Sequence, residues 1–391
     1  MIPLEEALEK VKSVKVNIST QRVKLTNSLN RVLAEDIVSD MDMPPFDKAT
    51  MDGYACKRED IHDILEVIEH IPAGSQAKKT IKKKQCAKIM TGGMLPEGAD
   101  CVIIVEDTKE IEENKIIFNR EHTKTNICFK GEDLKTGNLV LSTGTIIKPQ
   151  HIAELASVGA VNLKVAVRPR IGVISTGNEI VEPQTKPGLS QIRNSNAYQI
   201  LAQIKQVGAT ANYIGIVKDT EKATSEAIEK ALNKNDILIS TGAVSMGDFD
   251  LIPVVLKKMG FTIHFHRIAV KPGKPTLFAQ LGNKFFFGLP GNPVSSFVQF
   301  HLLAKELIYK TMNANYKPQV FQLPFAVEYR RNESTRKAWI PVTIRPDGFA
   351  KPIDYHGSAH IYSLTAADGI VSIEIGKNTI KEGELVDVRP L

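Results

Sequence analysis

The stretch ISTGAVSMGDFD, residues 239–250, decides the fold that we assign to the middle of the chain. It begins as the end of an apolar strand and then opens into two glycines, three hydroxyls and two carboxylates. In an open α/β sheet, a strand followed by a glycine turn and a helix binds anionic ligands at the helix start, where backbone N–H groups are unpaired. Because Asp248 and Asp250 would repel a phosphate group, we expect a divalent cation between these carboxylates and the ligand.

Strand and helix patterns alternate around this stretch, from about residue 166 to residue 312. The strand-like runs are RIGVIST, ANYIGIV and DILIST, and the helix-like runs are SNAYQILAQIKQVG, TEKATSEAIEKALNK, DLIPVVLKKMG and PVSSFVQFHLLAKELIYK. Such alternation predicts a parallel sheet with helices on both faces. The middle of the chain is therefore predicted to be a doubly wound α/β domain.

Shorter patterns on both sides of this domain predict a multidomain chain of α/β and β structure. The β-branched runs CVIIVED and NKIIF indicate a β-rich insertion, and the C-terminal region lacks any long helical pattern, which favours a small β-barrel or sandwich. Helical patterns at the N-terminus and in PQHIAELASVGA predict a discontinuous linker domain. The predicted domains are residues 1–38 with 134–165, 39–133, 166–316 and 317–391.

Composition and charge exclude several classes of protein. Apolar residues make up 42% and charged residues 24% of the chain, which is typical of a folded domain and not of a disordered one. The net charge of +6 is spread without a basic tail, so no nucleic acid is expected as a partner. No apolar run reaches the ~18 residues of a membrane span. Four cysteines without a C-x-x-C pair indicate reduced thiols and a cytoplasmic protein.

A second strand end resembles the first. ISTGNE ends at Glu179, and both S-T-G motifs are predicted to emerge at the carboxyl edge of the same sheet, where they should line one cleft. One S-T-G motif fits a simple chain turn as well as it fits a ligand site. The presence of two copies, each with acidic residues downstream, favours the ligand site.

Basic residues cluster in HRIAVKPGKP, which carries Arg267, Lys271 and Lys274. In a strand, Arg267 and Lys271 would share a face, and the Pro-Gly bend would turn Lys274 back toward the same side. A surface hairpin with solvated lysines would have the same sequence. The apolar residues between the charges favour a partly buried strand, and hence an anion clamp made of these three side chains.

Three further loops have ordinary structural explanations. In GLPGNPVSS, Asn292 suits a helix cap and Pro293 the first turn, although the same helix start also offers N–H donors to an anion. Asp52 in PPFDKATMDGYA and Thr91 in KIMTGGMLPEGAD are typical of turns, and their residue types alone favour that explanation.

Together these motifs resemble the molybdopterin molybdenumtransferase family, which includes MoeA and the gephyrin E domain. The matching segments are PPFDKATMDGYA, IMTGGMLPEGADCVIIVED, KGEDLKTG, ISTGNEI, STGAVSMGDFD, VKPGKP, GLPGNPVSS and GSAHIYSL. The resemblance implies an elongated homodimer whose α/β domain binds molybdopterin. It also implies the Mg²⁺-dependent insertion of molybdate into adenylylated molybdopterin, which releases AMP and gives molybdenum cofactor.

The resemblance further implies roles for individual residues. The implied catalytic residues are Asp52, Thr91, Asp133, Glu179, Asp250 and Lys271. The implied substrate-binding residues are Ser240, Thr241, Gly242, Ser245, Asp219, Arg267, Lys274, Pro290, Pro293, Arg336 and Ser358. Asp250 and Glu179 are the implied Mg²⁺ ligands. Asp52, Thr91 and Asp133 lie in the insertion, so we expect them to reach the cleft from the partner subunit.

Two alternatives remain open. Related α/β domains adenylylate molybdopterin, and the S-T-G motifs do not separate that activity from metal insertion, although the insertion and the barrel favour the latter. A pterin-binding scaffold without catalysis is the other alternative, and the presence of Asp52, Glu179, Asp250, Lys271 and Arg336 argues against it. The expected partners are the two substrates, a second copy of the chain and, transiently, other molybdenum-cofactor proteins, with no membrane.

Overall fold

The computed structural model of the protein describes residues 1–242, 251–354 and 357–391. These residues form two compact units, a larger one of residues 1–35, 143–149 and 162–391 and a smaller one of residues 36–142 and 150–161. The smaller unit is therefore inserted into the chain of the larger one. The four predicted domains are a finer division than this, and their boundaries stay predictions.

The larger unit is built around a six-stranded sheet. Its strands are β1 (Arg170–Thr176), β2 (Thr210–Val217), β3 (Ile237–Thr241), β4 (Thr262–Phe265), β5 (Leu277–Leu281) and β6 (Lys284–Leu289), in the order β2-β1-β3-β6-β5-β4. The first four in that order run parallel, as predicted. The last two pairings, of β6 with β5 and of β5 with β4, are antiparallel. Only two residues join β5 to β6, and a parallel pairing of these strands would need a crossover of a dozen residues or more.

Helices cover both faces of this sheet, which confirms the doubly wound prediction. They are α1 (Ser195–Gln206), α2 (Glu221–Leu232), α3 (Leu251–Lys258), α4 (Pro293–Gln299) and α5 (Lys305–Thr311), with the π-helical turn Phe300–Ala304 between the last two. Ile237 and Ile239 of β3 pack in one apolar cluster with α1 and α4. The intervening Leu238 packs in a second cluster with α2 and α3, since side chains alternate along a strand.

The N-terminal helix, Leu4–Ser13, packs in the same apolar cluster as α1, through Leu4, Ala7 and Val11. Its other face carries Glu5, which pairs with Lys337 at 3.0 Å. The chain then forms the strand Thr20–Lys24, which pairs antiparallel with Asn162–Ala166 after the insertion.

The smaller unit is β-rich, as predicted for the insertion. Its six-stranded sheet contains, in spatial order, Cys101–Ile104, Gly53–Cys56, Gln85–Ile89, Leu65–Ile71, Lys115–Phe118 and Thr108–Glu112. Two small ribbons pair Lys48–Ala49 with Ile127–Cys128 and Ile37–Val38 with Leu139–Leu141. The helix Pro149–Ser157 follows, and all but its first residue belongs to this unit.

The C-terminal region forms a closed β-structure. Its main sheet contains, in spatial order, Val270–Lys271, Lys337–Ile344, Gly369–Ile373, Leu385–Pro390 and Phe321–Pro324, with Ala350–Pro352 on the free side of the long strand and Tyr329–Arg330 paired separately with Thr379–Ile380. A bridge from Phe325 to Ala350 closes the sheet on itself, which confirms the predicted barrel. In the part of the chain that the structure describes, no helix is long and apolar enough to cross a membrane.

Candidate functional site

The two S-T-G motifs lie side by side at the carboxyl edge of the sheet. In the parallel register of β1 and β3, Ser175 lies opposite Thr241, and Thr241 lies opposite Leu289 of β6. The Thr176 hydroxyl donates to the Thr241 carbonyl at 3.2 Å, and the Thr241 hydroxyl donates to Ser175 Oγ at 3.3 Å. The prediction that both motifs line one cleft is confirmed.

A cavity of about 590 Å³ opens above these strand ends. This volume lies within the range of pockets that bind small molecules and cofactors. The cavity is lined by Thr176, Glu179, Ile180, Ile192, Arg193, Asn194, Ser195, Asn196, Thr241, Gly242, Pro275, Pro290, Gly291, Asn292, Pro293, Ala359 and Ile361. Five of the predicted site residues, Glu179, Thr241, Gly242, Pro290 and Pro293, are among them.

Gly242 allows the chain to turn at the end of β3. Its φ angle is +92°, and its N–H donates to the Leu289 carbonyl at 3.2 Å. A Cβ at this position would lie 2.4 Å from the Thr176 carbonyl oxygen, a distance that no side chain can adopt without moving the backbone. The glycine is therefore required by the packing of two strand ends as well as by the cavity that they line.

The predicted site residues around β3 have different outcomes. Ser240 is fully buried within the sheet and does not line the cavity, so its predicted contact with substrate is wrong. The physical reason is the alternation of side chains along a strand, which turns Ser240 away from the face that Thr241 presents. Ser245 and Asp250 lie outside the described residues, and their predicted roles stay predictions.

Glu179 and Asp219 form an acidic pair at the same sheet edge. Burial raises the pKa of Asp219 above its ordinary value, and the nearby negative charge of Glu179 raises it further. Asp219 Oδ1 is buried and finds no hydrogen-bond partner among the residues described. An unpaired buried carboxylate oxygen is costly unless a cation or a proton satisfies it. Within the described ranges, no group of three or more His, Cys, Asp or Glu side chains could hold a metal ion.

The loop that carries Lys271 and Lys274 is fixed by a buried glutamine. Gln299 Nε2 donates to the Pro272 carbonyl at 2.8 Å, and a Cβ at Gly273 would lie 2.4 Å from the same nitrogen. Pro275, at the end of this loop, lines the cavity. The loop is therefore packed against the α/β domain through Gln299 and borders the candidate site.

The predicted anion clamp is reorganised in the structure. Arg267 and Lys271 do not share a strand, because β4 ends at Phe265 and Val270–Lys271 joins the barrel sheet instead. Their expected common face is therefore wrong, and Lys274 is exposed on the loop beyond. Lys271 instead meets Arg336. Both side chains contact Glu333 Oε2, at 3.5 Å for Lys271 Nζ and 3.1 Å for Arg336 Nη2.

The start of α4 is tied to the barrel. Asn292 occupies the cap position and Pro293 the first turn, as predicted, although the Asn292 side chain makes no cap hydrogen bond. Its amide donates to Ser358 Oγ at 2.7 Å instead. The Val294 N–H donates to the Ser358 carbonyl at 3.0 Å, which removes one of the donors expected to be open to an anion. Ser358 is thereby held beside the cavity wall.

In the smaller unit, Asp52 and Thr91 are brought together. Asp52 Oδ1 accepts hydrogen bonds from the Thr91 backbone N–H at 2.6 Å and from the Thr91 hydroxyl at 2.7 Å. These two bonds lower the pKa of Asp52, so the exposed carboxylate stays ionised at neutral pH. Asp133 is exposed on a loop, where its N–H donates to the Met43 carbonyl at 3.0 Å.

Several residues of the site were missed by sequence reasoning. Asn194 lines the cavity, and its side chain joins the Ser175 hydroxyl at 2.9 Å to the Tyr213 hydroxyl at 2.9 Å. Asn194 also caps α1, where its side chain accepts a hydrogen bond from the Ala197 N–H. Gln299 and Glu333 gave no comparable signal, because a helical glutamine and a loop glutamate are both common on surfaces.

The fold and the cavity define a class of protein. A doubly wound sheet with a cavity at its carboxyl edge is typical of α/β domains that bind nucleotide-like ligands. Residues 172–310, which contain this sheet except for the first two residues of β1, match the family model described as a probable molybdopterin binding domain. Residues 2–159 match the MoeA N-terminal region (domain I and II), and residues 326–391 match the MoeA C-terminal region (domain IV).

The chain belongs to the MoeA family of molybdopterin molybdenumtransferases. It is 34% identical over 397 residues to the molybdopterin molybdenumtransferase of Staphylococcus epidermidis, covering 99% of this chain and 95% of that one. The Bacillus subtilis protein of the same name is 34% identical over 404 residues, covering 99% and 93%. A crystal structure of the Pyrococcus horikoshii OT3 molybdopterin biosynthesis MoeA protein covers all of both chains at 31% identity, with a TM-score of 0.85. Family membership supports a role in molybdenum cofactor biosynthesis.

The Gly242→Ala substitution is expected to lower both stability and ligand binding. The positive φ angle alone costs about 1–2 kcal/mol for an alanine, and the contact with the Thr176 carbonyl adds to that cost. Gly348→Ala is the matched control, because Gly348 has a φ of +84° with no atom within 4 Å of the added Cβ. Thermal unfolding should separate the two variants. Equal melting temperatures would contradict the close packing of the strand ends.

The Asp219→Asn substitution is expected to stabilise the protein at neutral pH. Because the folded state raises the pKa of Asp219, its ionised form opposes folding above that pKa, and the cost disappears as the pH falls through it. The variant should therefore melt a few degrees higher than the wild type at pH 7.5, and the gain should shrink in acid. Melting curves across that pH range check this. A variant less stable than the wild type at pH 7.5 would contradict it.

Proposed function

We propose that the protein inserts molybdate into adenylylated molybdopterin, with the release of AMP and the formation of molybdenum cofactor. The proposal rests on two features of the same compact unit. One is a cavity of cofactor size, and the other is a pair of cations, Lys271 and Arg336, that both contact Glu333 Oε2. The cavity suits the pterin, and the cations suit an oxyanion. The relatives are named molybdopterin molybdenumtransferase, a name that contains molybdopterin and molybdenum.

Molybdate is a tetrahedral dianion, and the chain offers suitable donors for it. Arg336 presents a planar fork that matches two oxygens at once, whereas Lys271 acts as a point charge. Ser358 lies on the barrel loop that borders the cavity, held there by Asn292. We propose that these three residues bind molybdate, with Arg267 and Lys274 as further positive charges at the site.

The acidic side of the site fits a magnesium ion. Glu179 lines the cavity, and one buried oxygen of Asp219 has no hydrogen-bond partner within the described ranges. Carboxylate oxygens are the ligands that Mg²⁺ prefers. We propose that Glu179 and Asp250 hold Mg²⁺, with Asp219 close enough to contribute. When bound, Mg²⁺ would neutralise charge on the phosphate that links AMP to molybdopterin. Thr241 and Gly242 line the cavity on the sheet side, where they would position the substrate and exclude water.

We also propose that the active protein is a homodimer in the cytoplasm. Asp52, Thr91 and Asp133 lie in the inserted unit, and in a symmetric dimer they would complete the site of the partner chain. The ionised Asp52, held by Thr91, would supply a fixed negative charge there. All four cysteines are free thiols, which supports a reducing compartment.

The proposed reaction is tested by mixing purified protein with adenylylated molybdopterin, Mg²⁺ and molybdate and measuring AMP and cofactor. We expect AMP release that depends on both Mg²⁺ and molybdate and that matches cofactor formation mole for mole. Binding of the pterin without turnover would favour the scaffold instead. Formation of adenylylated molybdopterin from ATP and molybdopterin would favour the preceding step of the pathway.

The Lys271→Ala substitution is expected to affect molybdate more than the pterin. Loss of one charged donor should raise the molybdate concentration required for half-maximal rate by about 10- to 100-fold, because a hydrogen bond to a charged group contributes ~1.5–3 kcal/mol. Pterin affinity should change little, since Lys271 does not line the cavity. Lys317→Ala, an exposed lysine in the same unit, is the control. Equal loss of molybdate and pterin affinity would overturn the assignment.

A further inference from the structure

Glu333 lies at the centre of the proposed oxyanion site, although its sequence context assigned it no role. Its Oε2 atom contacts Lys271 Nζ at 3.5 Å and Arg336 Nη2 at 3.1 Å. Its Oε1 atom accepts a hydrogen bond from the Thr335 hydroxyl at 2.8 Å. The carboxylate therefore uses the same two cations that we assign to molybdate.

The charge of this carboxylate does not depend on pH in the physiological range. The hydrogen bond from Thr335, followed by the hydrogen bond and positive charge of Arg336, lowers the pKa of Glu333 to about 2. Glu333 is thus an anion at neutral pH. A second anion cannot share these donors without strong repulsion from the first, since like charges a few ångströms apart oppose each other.

The loop that carries Glu333 has a hydrogen-bonded backbone and an exposed Glu333 side chain. Arg331 fixes the backbone by donating to the carbonyls of Arg336 at 2.8 Å, Lys377 at 2.8 Å and Glu374 at 2.6 Å. The Glu333 side chain, in contrast, is 45% exposed. Its exposure leaves room for the carboxylate to turn toward solvent while Arg331 holds the backbone.

We propose that Glu333 is an internal competitor for the oxyanion site, which must leave Lys271 and Arg336 before molybdate binds there. This inference rests on the proposed function, which identifies molybdate as the anion. The competitor selects by charge. A monoanion that displaces the Glu333 carboxylate gains little, because it carries the same single charge. A dianion gains more, because it interacts more strongly with Lys271 and Arg336. Glu333 thus lowers the affinity for all anions and excludes those of single charge.

The Glu333→Gln variant tests the proposal, because it keeps the size of the side chain and removes its charge. We expect the full-length variant to bind molybdate about tenfold more tightly than the wild type, since repulsion between a single and a double charge is removed. Nitrate should compete with molybdate in the variant and not in the wild type. Equilibrium dialysis with molybdenum measured by mass spectrometry gives both results.

Glu328→Gln is the matched control, because Glu328 pairs with Arg330 in the same region and is 50% exposed, yet does not contact Lys271 or Arg336. It should leave molybdate binding unchanged. In a Lys271→Ala background, the gain from Glu333→Gln should shrink, which a general change in surface charge would not cause.

Two outcomes would overturn the inference. If the wild type binds molybdate and Glu333→Gln binds it equally or more weakly, the competitor role is wrong and the proposed function stands. If neither the wild type nor any of these folded variants binds molybdate, the proposed oxyanion site fails and the inference fails with it. Melting curves of each variant confirm that the proteins compared are folded.

Discussion

The parallel register of β1, β3 and β6 is the constraint on which the candidate site depends. It places the strand ends at Thr176, Thr241 and Leu289 in a row, so that the chain must turn three times within a few ångströms. Only a residue without a side chain fits between two of these ends, and Gly242 fills that position with its N–H bonded to the Leu289 carbonyl. The cavity opens above this row of strand ends, at the sheet edge where open α/β folds bind ligands.

The cavity is completed by segments that are distant in sequence from these strand ends. Pro275 follows a loop that Gln299 holds in place, and Ser358 reaches the start of α4 through Asn292. These contacts connect the α/β domain to the barrel through side-chain hydrogen bonds and not through apolar packing alone. A change at Gln299 or Asn292 would therefore disturb the site without touching a ligand.

The sequence predicted more of the fold than of the candidate site. Alternating strand and helix patterns predicted the central sheet because burial on both faces leaves long apolar runs, and this signal is strong. It did not identify the two antiparallel strands, because a strand pattern carries no direction, and only the short link between β5 and β6 fixes it. The prediction that Arg267 and Lys271 share a strand face failed for a physical reason: the chain changes sheets between them, at a point where nothing local distinguishes one long strand from two short ones. Side-chain partners such as Glu333 depend on tertiary contacts that spacing cannot show.

The acidic side and the basic side of the site each favour a ligand of opposite charge. On the acidic side, burial and then the nearby charge of Glu179 raise the pKa of Asp219. Its buried Oδ1 has no hydrogen-bond partner among the residues that the structure describes, which favours the binding of a cation or a proton. On the basic side, Lys271 and Arg336 are already satisfied by Glu333, an anion of the chain itself. In the free protein, the acidic pair therefore favours the binding of a cation, and Glu333 neutralises the two basic side chains so that singly charged anions bind weakly. A divalent cation would compensate the acidic pair, and a doubly charged oxyanion would displace Glu333 from Lys271 and Arg336. The site is therefore matched to both charges together and not to either one alone.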